Sequence, residues 1–99
     1  MIQSFGDEDT KRVINGESPR RYPPDIIRPA YRKLIALVNA MDIADMMVPP
    51  SNRLEKLKGK HKNYWSVRIT QQWRIIFRWN AGIADDVTII DYHSGKDKL

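Results

Sequence analysis

The sequence contains no cysteine, so it offers neither a disulfide framework nor a thiolate metal site. Its two histidines, His61 and His93, are too few to hold a metal by themselves, and Asp85, Asp86 and Asp91 share no metal-ligand spacing. The chain also lacks a P-loop and a glycine fingerprint for dinucleotides. We therefore expect no metal and no cofactor.

A membrane segment and a secretory signal are missing as well. No apolar run approaches the length that spans a bilayer, and the N-terminus turns acidic at Asp7 without an apolar region before it. We therefore expect a cytoplasmic protein with no membrane partner. The 99 residues, 41% of them hydrophobic, suffice for one modest core, which predicts a single domain over residues 1–99.

Positive charge is concentrated in one part of the chain. The net charge is +5, and the stretch from Arg53 to Arg78 holds eight Lys and Arg residues against one acid, Glu55. Such a local excess attracts polyanions, chiefly nucleic acid. Taken alone, it is equally compatible with an ordinary solvated surface.

The first half of the sequence predicts a short strand followed by two helices. Residues 2–5 alternate apolar and polar, and Gly6 ends that strand. A brief helix over residues 9–14, capped by Asp7 or Asp9, stops at Asn15-Gly16. The proline-rich residues 18–24 predict a rigid connector. A long amphipathic helix is then expected over residues 25–44, with Asp25 as N-cap and Pro29 in its first turn.

The second half predicts an antiparallel meander of three strands, over residues 65–69, 73–79 and 87–93. Apolar residues fall on odd numbers in all three, so a loop over residues 70–72 pairs 67 with 75 and sets Arg68 opposite Arg74. The same argument pairs 79 with 87, and 77 with 89, and sets Tyr92 opposite Arg74. Because neighbouring arginines on a sheet repel unless an anion lies near them, this row predicts a phosphate site.

The residue types in this region suit RNA cleavage without a metal. Such cleavage needs a base for the 2′-hydroxyl, cations for the developing phosphorane charge and an acid for the leaving 5′-oxygen. Arg74 and Arg68 can hold phosphate oxygens with two donors each, and Lys58 is a point charge. His93 can act as acid or base near neutral pH, and Tyr92 can do so or stack on a base. Each residue alone is more often structural, and only their convergence favours function.

Several segments resemble the HigB, or plasmid-maintenance killer, toxins of the RelE/ParE superfamily of type II toxin–antitoxin systems. The resemblance rests on Asn-Arg-Leu-Glu-Lys-Leu-Lys-Gly at residues 52–59, Trp-Ser-Val-Arg-Ile at 65–69, Gln-Trp-Arg-Ile-Ile-Phe at 72–77 and Asp-Tyr-His at 91–93. Residues 2–5 match too, so it covers nearly the whole chain. It implies an α+β, RelE-like fold with an N-terminal strand and two helices packed on a C-terminal antiparallel meander.

The resemblance also implies a toxin that inhibits translation and growth as a ribosome-dependent endoribonuclease (an mRNA interferase), cutting mRNA in the A site to leave a cyclic phosphate. Lys58, Arg74, Tyr92 and His93 match the family's catalytic positions. Some members have a histidine where this chain has Glu55, which leaves Glu55 or His93 as the general base. The implied partners are a helix-turn-helix antitoxin, the ribosome and mRNA, with operator DNA contacted only through the antitoxin.

Two other functions stay open at this point. One is a gyrase-directed toxin of the same superfamily, and the other is a non-catalytic RNA-binding regulatory module. The convergence of the four matching residues favours the nuclease, because poisoning gyrase requires no such set. The remaining cations of the basic stretch are predicted to bind RNA: Arg53, Lys56, Lys60, Lys62 and Arg68.

Overall fold

A computed structural model, which describes residues 1–92, has two α-helices and one antiparallel sheet of four strands in the order β1-β2-β3-β4. Short 3₁₀ helices lie between α2 and β2. The α+β class predicted from the sequence is confirmed. The elements are α1 (Glu8–Ile14), α2 (Pro24–Asn39), β1 (Glu55–Lys56), β2 (Tyr64–Arg68), β3 (Trp73–Asn80) and β4 (Ile83–Asp91), with 3₁₀ helices at Ile43–Met47, Pro50–Asn52 and Gly59–His61.

The N-terminal segment runs parallel to β4 and pairs with it at two points, Ile2 with Ala84 and Phe5 with Val87. It is therefore a shorter pairing than the continuous strand that the alternation predicts. The segment ends at Gly6, which passes so close to β4 that a β-carbon there would lie 1.9 Å from the Thr88 hydroxyl oxygen.

Helix α1 follows the sequence prediction closely. The Asp7 carboxylate accepts a hydrogen bond from the backbone N–H of Thr10 at 2.8 Å, which makes Asp7 the N-cap. The helix ends at Asn15-Gly16, as expected, with Gly16 at a φ of 90° that favours glycine. The buried Thr10 hydroxyl also accepts from the N–H of Ile89 at 2.9 Å, so α1 continues the pairing of β4 where the N-terminal segment stops.

The start of α2 differs from the prediction. Pro24 is the first helical residue and Pro23 precedes it without a side-chain hydrogen bond, so Asp25 is not the cap. Asp25 lies instead in the first turn, where a negative charge favours the helix N-terminus. Pro29 lies beyond that turn, inside the helix, and cannot donate to the carbonyl of Asp25.

The end of α2 also differs, since the helix stops at Asn39 and not at residue 44. Ala40 is extended, and Asp42 caps the 3₁₀ helix that follows. The Asp45 carboxylate accepts from the N–H groups of Met41 and Asp42 at 2.9 and 3.1 Å, and these bonds lower its pKa. A local network of aspartate caps thus replaces the last helical turn.

The core lies between α2 and one face of the sheet. The connector before α2 joins it through Tyr22, whose ring meets Trp73 edge to face with centroids 5.6 Å apart, in agreement with a rigid connector. No helix within residues 1–92 is long and apolar enough to cross a bilayer. Most of the fully enclosed apolar side chains come from α2 (Ile26, Ala30, Leu34, Leu37) and the sheet (Val67, Ile75, Phe77, Ala84, Val87, Ile89), and Val13 of α1 and Met46 join them.

The predicted register of the β2–β3 hairpin is confirmed. Val67 pairs with Ile75, and Arg68 lies opposite Arg74. The Thr70 hydroxyl closes the turn by accepting from the N–H of Trp73 at 3.1 Å.

The predicted register of β3 with β4 is wrong. Arg74 pairs with Ile90 and not with Tyr92, and Trp79 pairs with Ala84 and not with Val87. The strand begins at Ile83 after a two-residue turn, Ala81-Gly82, whose φ angles of 52° and 84° are those of a tight hairpin.

The tight turn causes most of the difference, because β4 begins at Ile83 and not at residue 87, and a β-bulge then shifts the ladder by one residue. The ladder shifts between Ile76 and Arg78, where β4 carries one residue more than β3, and Asp86 has a φ of 57°. The extra residue changes the alternation, so that Ala84 and Val87 both face the core. The sequence does not reveal the bulge, because Asp85 and Asp86 before Val87 have the composition of a loop and not of a strand.

We expect Thr10→Val to destabilise the fold although it preserves the side-chain shape. The substitution leaves the buried N–H of Ile89 without an acceptor, a loss of about 1–3 kcal/mol in the free energy of unfolding. Urea denaturation measures it. Thr10→Ser keeps the hydroxyl and removes one methyl group, worth about 0.8 kcal/mol. A serine variant as unstable as the valine variant would contradict the role of this hydrogen bond.

Candidate functional site

The face of the sheet opposite α2, here called the outer face, carries the even-numbered residues of β2 and β3. Arg74 lies on it, next to Arg68 on the neighbouring strand. The guanidinium of Arg74 is nevertheless enclosed, with only 10% of its side chain exposed. An enclosed cation requires partners, because burial without them costs several kcal/mol.

Three side chains surround Arg74, and together the four form what we call the Arg74 cluster. Nη1 of Arg74 donates to the hydroxyl oxygen of Ser66 at 2.8 Å and lies 3.2 Å from Oε1 of Glu55. The guanidinium carbon lies 4.5 Å from the centroid of the Tyr92 ring, a cation–π contact. Nε of Arg74 is buried and has no hydrogen-bond partner within residues 1–92.

The strand order explains how the cluster forms. Glu55 is in the edge strand β1 and pairs with Ser66 of β2, which brings the carboxylate onto the outer face. Its side chain is 49% exposed, so it reaches Arg74 from the solvent side. Glu55 is therefore the accessible partner of the cation, whereas Ser66 is the buried one.

The loop before β1 is fixed by the buried side chain of Asn52. Its amide nitrogen donates to the carbonyl of Met46 at 3.1 Å and to that of Val48 at 3.3 Å. Its amide oxygen accepts from Nζ of Lys33 at 2.5 Å, and burial lowers the pKa of that lysine. Arg53 then turns the chain into β1 with a φ of 46°. Helix α2 thus determines where β1 begins.

Tyr92 meets Arg74 by a route that the sequence did not predict. Tyr92 lies two positions beyond Ile90, the residue opposite Arg74, so Tyr92 and Arg74 are diagonal neighbours. The N–H of Tyr92 donates to the carbonyl of Gln72 at 2.5 Å, which holds the tyrosine against the beginning of β3. The predicted contact exists, although the predicted pairing does not.

The structure leaves Lys58 outside the cluster. It precedes the 3₁₀ helix Gly59–His61, is exposed, and forms no hydrogen bond or ion pair in the part of the chain that the structure describes. Arg68 is half-buried beside Arg74 and likewise has no ion pair within residues 1–92. His93 lies outside the described residues.

The remaining predicted RNA-binding residues surround the loop between β1 and β2. Nζ of Lys56 lies 5.3 Å from the ring centroid of Trp65, so its position is partly defined. The others are exposed cations on the loop or just before β1: Arg53, Lys60 and Lys62. The structure brings none of these four into hydrogen-bond contact with Arg74 within the described range.

Ser66 is the residue of the cluster that the sequence analysis did not identify as part of the site. The confirmed register contains the signal, because it sets Ser66 opposite Ile76 and diagonal to Arg74. A small polar residue at such a position is within reach of an arginine side chain. As for metals, no group of three or more His, Asp or Glu side chains within residues 1–92 is arranged to hold one.

Comparison with known proteins gives consistent results. A family model described as "RelE-like toxin of type II toxin-antitoxin system HigB" matches residues 3–93. Toxin HigB-1 of Vibrio cholerae is 38% identical over 94 residues, which cover 94% of this chain and 98% of the relative. Endoribonuclease HigB of Proteus vulgaris is 28% identical over 93 residues, which cover 94% and 100%.

A solved structure supports the fold. The crystal structure of YafQ from Escherichia coli BL21(DE3) superposes with a TM-score of 0.58 over 95% of this chain and 94% of that one. At 13% identity, this likeness concerns the architecture alone. The family model and the Vibrio relative each extend over nearly all of the chain, and on that basis the protein belongs to the HigB-like family of RelE-like toxins of type II toxin–antitoxin systems.

Proposed function

We propose that this toxin is an endoribonuclease that cuts mRNA on the ribosome, and that the Arg74 cluster holds the phosphate at the cut. The observation that carries the proposal is an arginine whose guanidinium is oriented in advance by a hydroxyl, a carboxylate and an aromatic ring. A fixed cation stabilises charge that develops in a transition state without reorganising. The name of the Proteus vulgaris relative, Endoribonuclease HigB, supports this chemistry.

In the proposed reaction the ribose 2′-oxygen attacks the adjacent phosphorus. A bond forms between that oxygen and phosphorus, the bond from phosphorus to the 5′-oxygen breaks, and the products carry a 2′,3′-cyclic phosphate and a 5′-hydroxyl. A base takes the 2′-hydroxyl proton and an acid gives a proton to the leaving 5′-oxygen. Arg74, with Arg68 beside it and Lys58 on the adjoining loop, neutralises the negative charge of the phosphorane.

The proton carriers are assigned by chemistry. Glu55 is half-exposed beside Arg74, so its carboxylate can accept the 2′-hydroxyl proton once the RNA phosphate has taken its place at Nη1. His93 is the alternative base, and otherwise the acid, because imidazole exchanges protons near neutral pH. Tyr92 already stacks on Arg74, which suits it to carry a nucleobase or to assist the leaving group.

The basic loop is proposed to bind nucleic acid backbone. Its cations are exposed, and contacts of this kind supply affinity that falls as salt rises. An antitoxin protein is the partner that membership of a type II family implies. We take it to be a helix-turn-helix protein that connects the toxin to operator DNA, and we place the toxin in the cytoplasm with the ribosome and mRNA.

Arg74→Ala should lower cleavage about 100- to 1,000-fold, the loss that follows removal of one donor to a developing oxyanion. Primer extension on a reporter mRNA after induction measures the cuts. Arg28→Ala is the matched control, because Arg28 is an exposed arginine on α2, away from the cluster. Unchanged cuts in the Arg74 variant would refute the site, and no cuts with the wild type would refute the nuclease.

His93→Gln should reduce cleavage by about 100-fold or more, the typical contribution of a general acid or base. Ribosome binding should change far less, because phosphate electrostatics supplies most of it. Single-turnover cleavage and co-sedimentation with ribosomes separate the two quantities. The double variant Lys60→Ala/Lys62→Ala should instead bind ribosomes more weakly, with a flatter salt dependence, and keep its single-turnover cleavage rate. Equal losses for His93→Gln in both assays would indicate a structural histidine.

Ribosome dependence has its own test. The purified toxin should cut an mRNA bound in a programmed ribosome and leave the same mRNA intact when it is free. The reason is that in-line attack requires the 2′-hydroxyl and the phosphorus to be held in one geometry, which we propose the ribosome supplies. Rapid cleavage of the free RNA would contradict this part of the proposal. Growth arrest with no cut in either form, accompanied by broken chromosomal DNA, would favour the gyrase-directed alternative.

A further inference from the structure

Ser66 forms the shortest polar contact of the Arg74 cluster, although it is neutral and fully buried. We propose that Ser66 is a positioning residue of the nuclease, whose hydroxyl keeps the Arg74 guanidinium oriented while RNA replaces Glu55 beside it. The inference rests on the proposed function and adds to it a residue that acts through Arg74. No contact between Ser66 and RNA is required.

The two oxygen partners of Arg74, Ser66 and Glu55, should respond differently when an RNA phosphate binds. Both contact the same nitrogen, Nη1, at 2.8 Å for Ser66 and 3.2 Å for Glu55. Glu55 is negatively charged and half-exposed, so an incoming phosphate repels it and its carboxylate can move off Nη1 while staying near the ribose. Ser66 carries no charge and is enclosed, so the same phosphate neither repels nor displaces it.

The sheet holds Ser66 in a way that it does not hold Glu55. Ser66 is in β2, with a paired strand on either side, opposite Glu55 of β1 and Ile76 of β3. Glu55 belongs to an edge strand of two residues, which has far less pairing to restrain it. The contact that persists in the RNA-bound state is therefore the one between Arg74 and Ser66.

Losing that contact should affect the reaction step more than binding. Without the hydroxyl, the charge on Arg74 remains, so the electrostatic attraction for RNA is retained. The guanidinium, however, keeps only a displaceable carboxylate and the Tyr92 ring as guides. A misplaced cation stabilises the ground state and the transition state more equally, which lowers kcat with little change in KM.

The test is a comparison of Ser66→Ala with the full-length wild type on mRNA bound in programmed ribosomes. The rate constant kcat, measured at saturating ribosome-bound mRNA, should fall about 10- to 100-fold, the range for losing one hydrogen bond to a charged group. KM should stay within about twofold, since phosphate contacts dominate binding. Thr88→Val is the matched control, because Thr88 lies opposite Ile76 on the same face and bonds the carbonyl of Asp86, not Arg74.

A double-mutant cycle separates positioning from a structural role. In an Arg74→Ala background, Ser66→Ala should cause no further loss of kcat, because the residue has nothing left to orient. Ser66→Thr, which keeps the hydroxyl, should retain most of the activity. All variants are assayed below their measured midpoints of thermal unfolding.

Three results would overturn the inference: an unchanged kcat in Ser66→Ala, a loss that adds fully to that of Arg74→Ala, or a rise in KM that accounts for the whole defect. These outcomes leave the nuclease itself intact, since wild-type cleavage would still depend on Arg74. Absence of wild-type cleavage would instead refute the proposed function on which the inference rests.

Discussion

The burial of the Arg74 guanidinium is the constraint that determines which side chains surround it on the outer face. Arg74 is in the second-from-last strand of the sheet, with only a tenth of its side chain in contact with solvent. A cation in such a place requires partners, and it has a carboxylate from β1, a hydroxyl from β2 and the Tyr92 ring, which follows β4. The two-residue strand β1 brings Glu55 to that position by pairing it with Ser66.

The sequence predicted those parts of the fold that follow from simple periodicity. The register of β2 with β3 could be obtained because alternation is unbroken across both strands and a three-residue loop is the one that keeps the apolar face whole. The capping of α1 by Asp7 followed from local side-chain chemistry. Family resemblance added the order of two helices followed by an antiparallel sheet, and the structure confirms that order.

The errors in strand register and helix length arise where turns, caps and a bulge interrupt the alternation of apolar residues. The left-handed Asp86 shifts the alternation of β4, and the caps around Asp42 end α2 early. Neither is visible to a method that counts apolar positions, because aspartate suits loops, caps and bulges alike. For the site, the sequence found Glu55, Arg74 and Tyr92 but not Ser66, since a serine in a strand carries no signal until the pairing is known. Lys58 has no contact with the Arg74 cluster, so a catalytic role for it requires that RNA binding move the loop between β1 and β2 towards Arg74.

The bulge in β4 has a consequence for how this small protein can vary. Because the parity of the strand changes at Asp86, residues before it and after it are oriented independently of one another. Loss of that single residue would turn Ala84 outward and disturb the hairpin tip, while Ile89 and the strand end next to Arg74 would keep their facing. Insertions and deletions near the tip are thereby separated from the strand end that carries the Arg74 cluster.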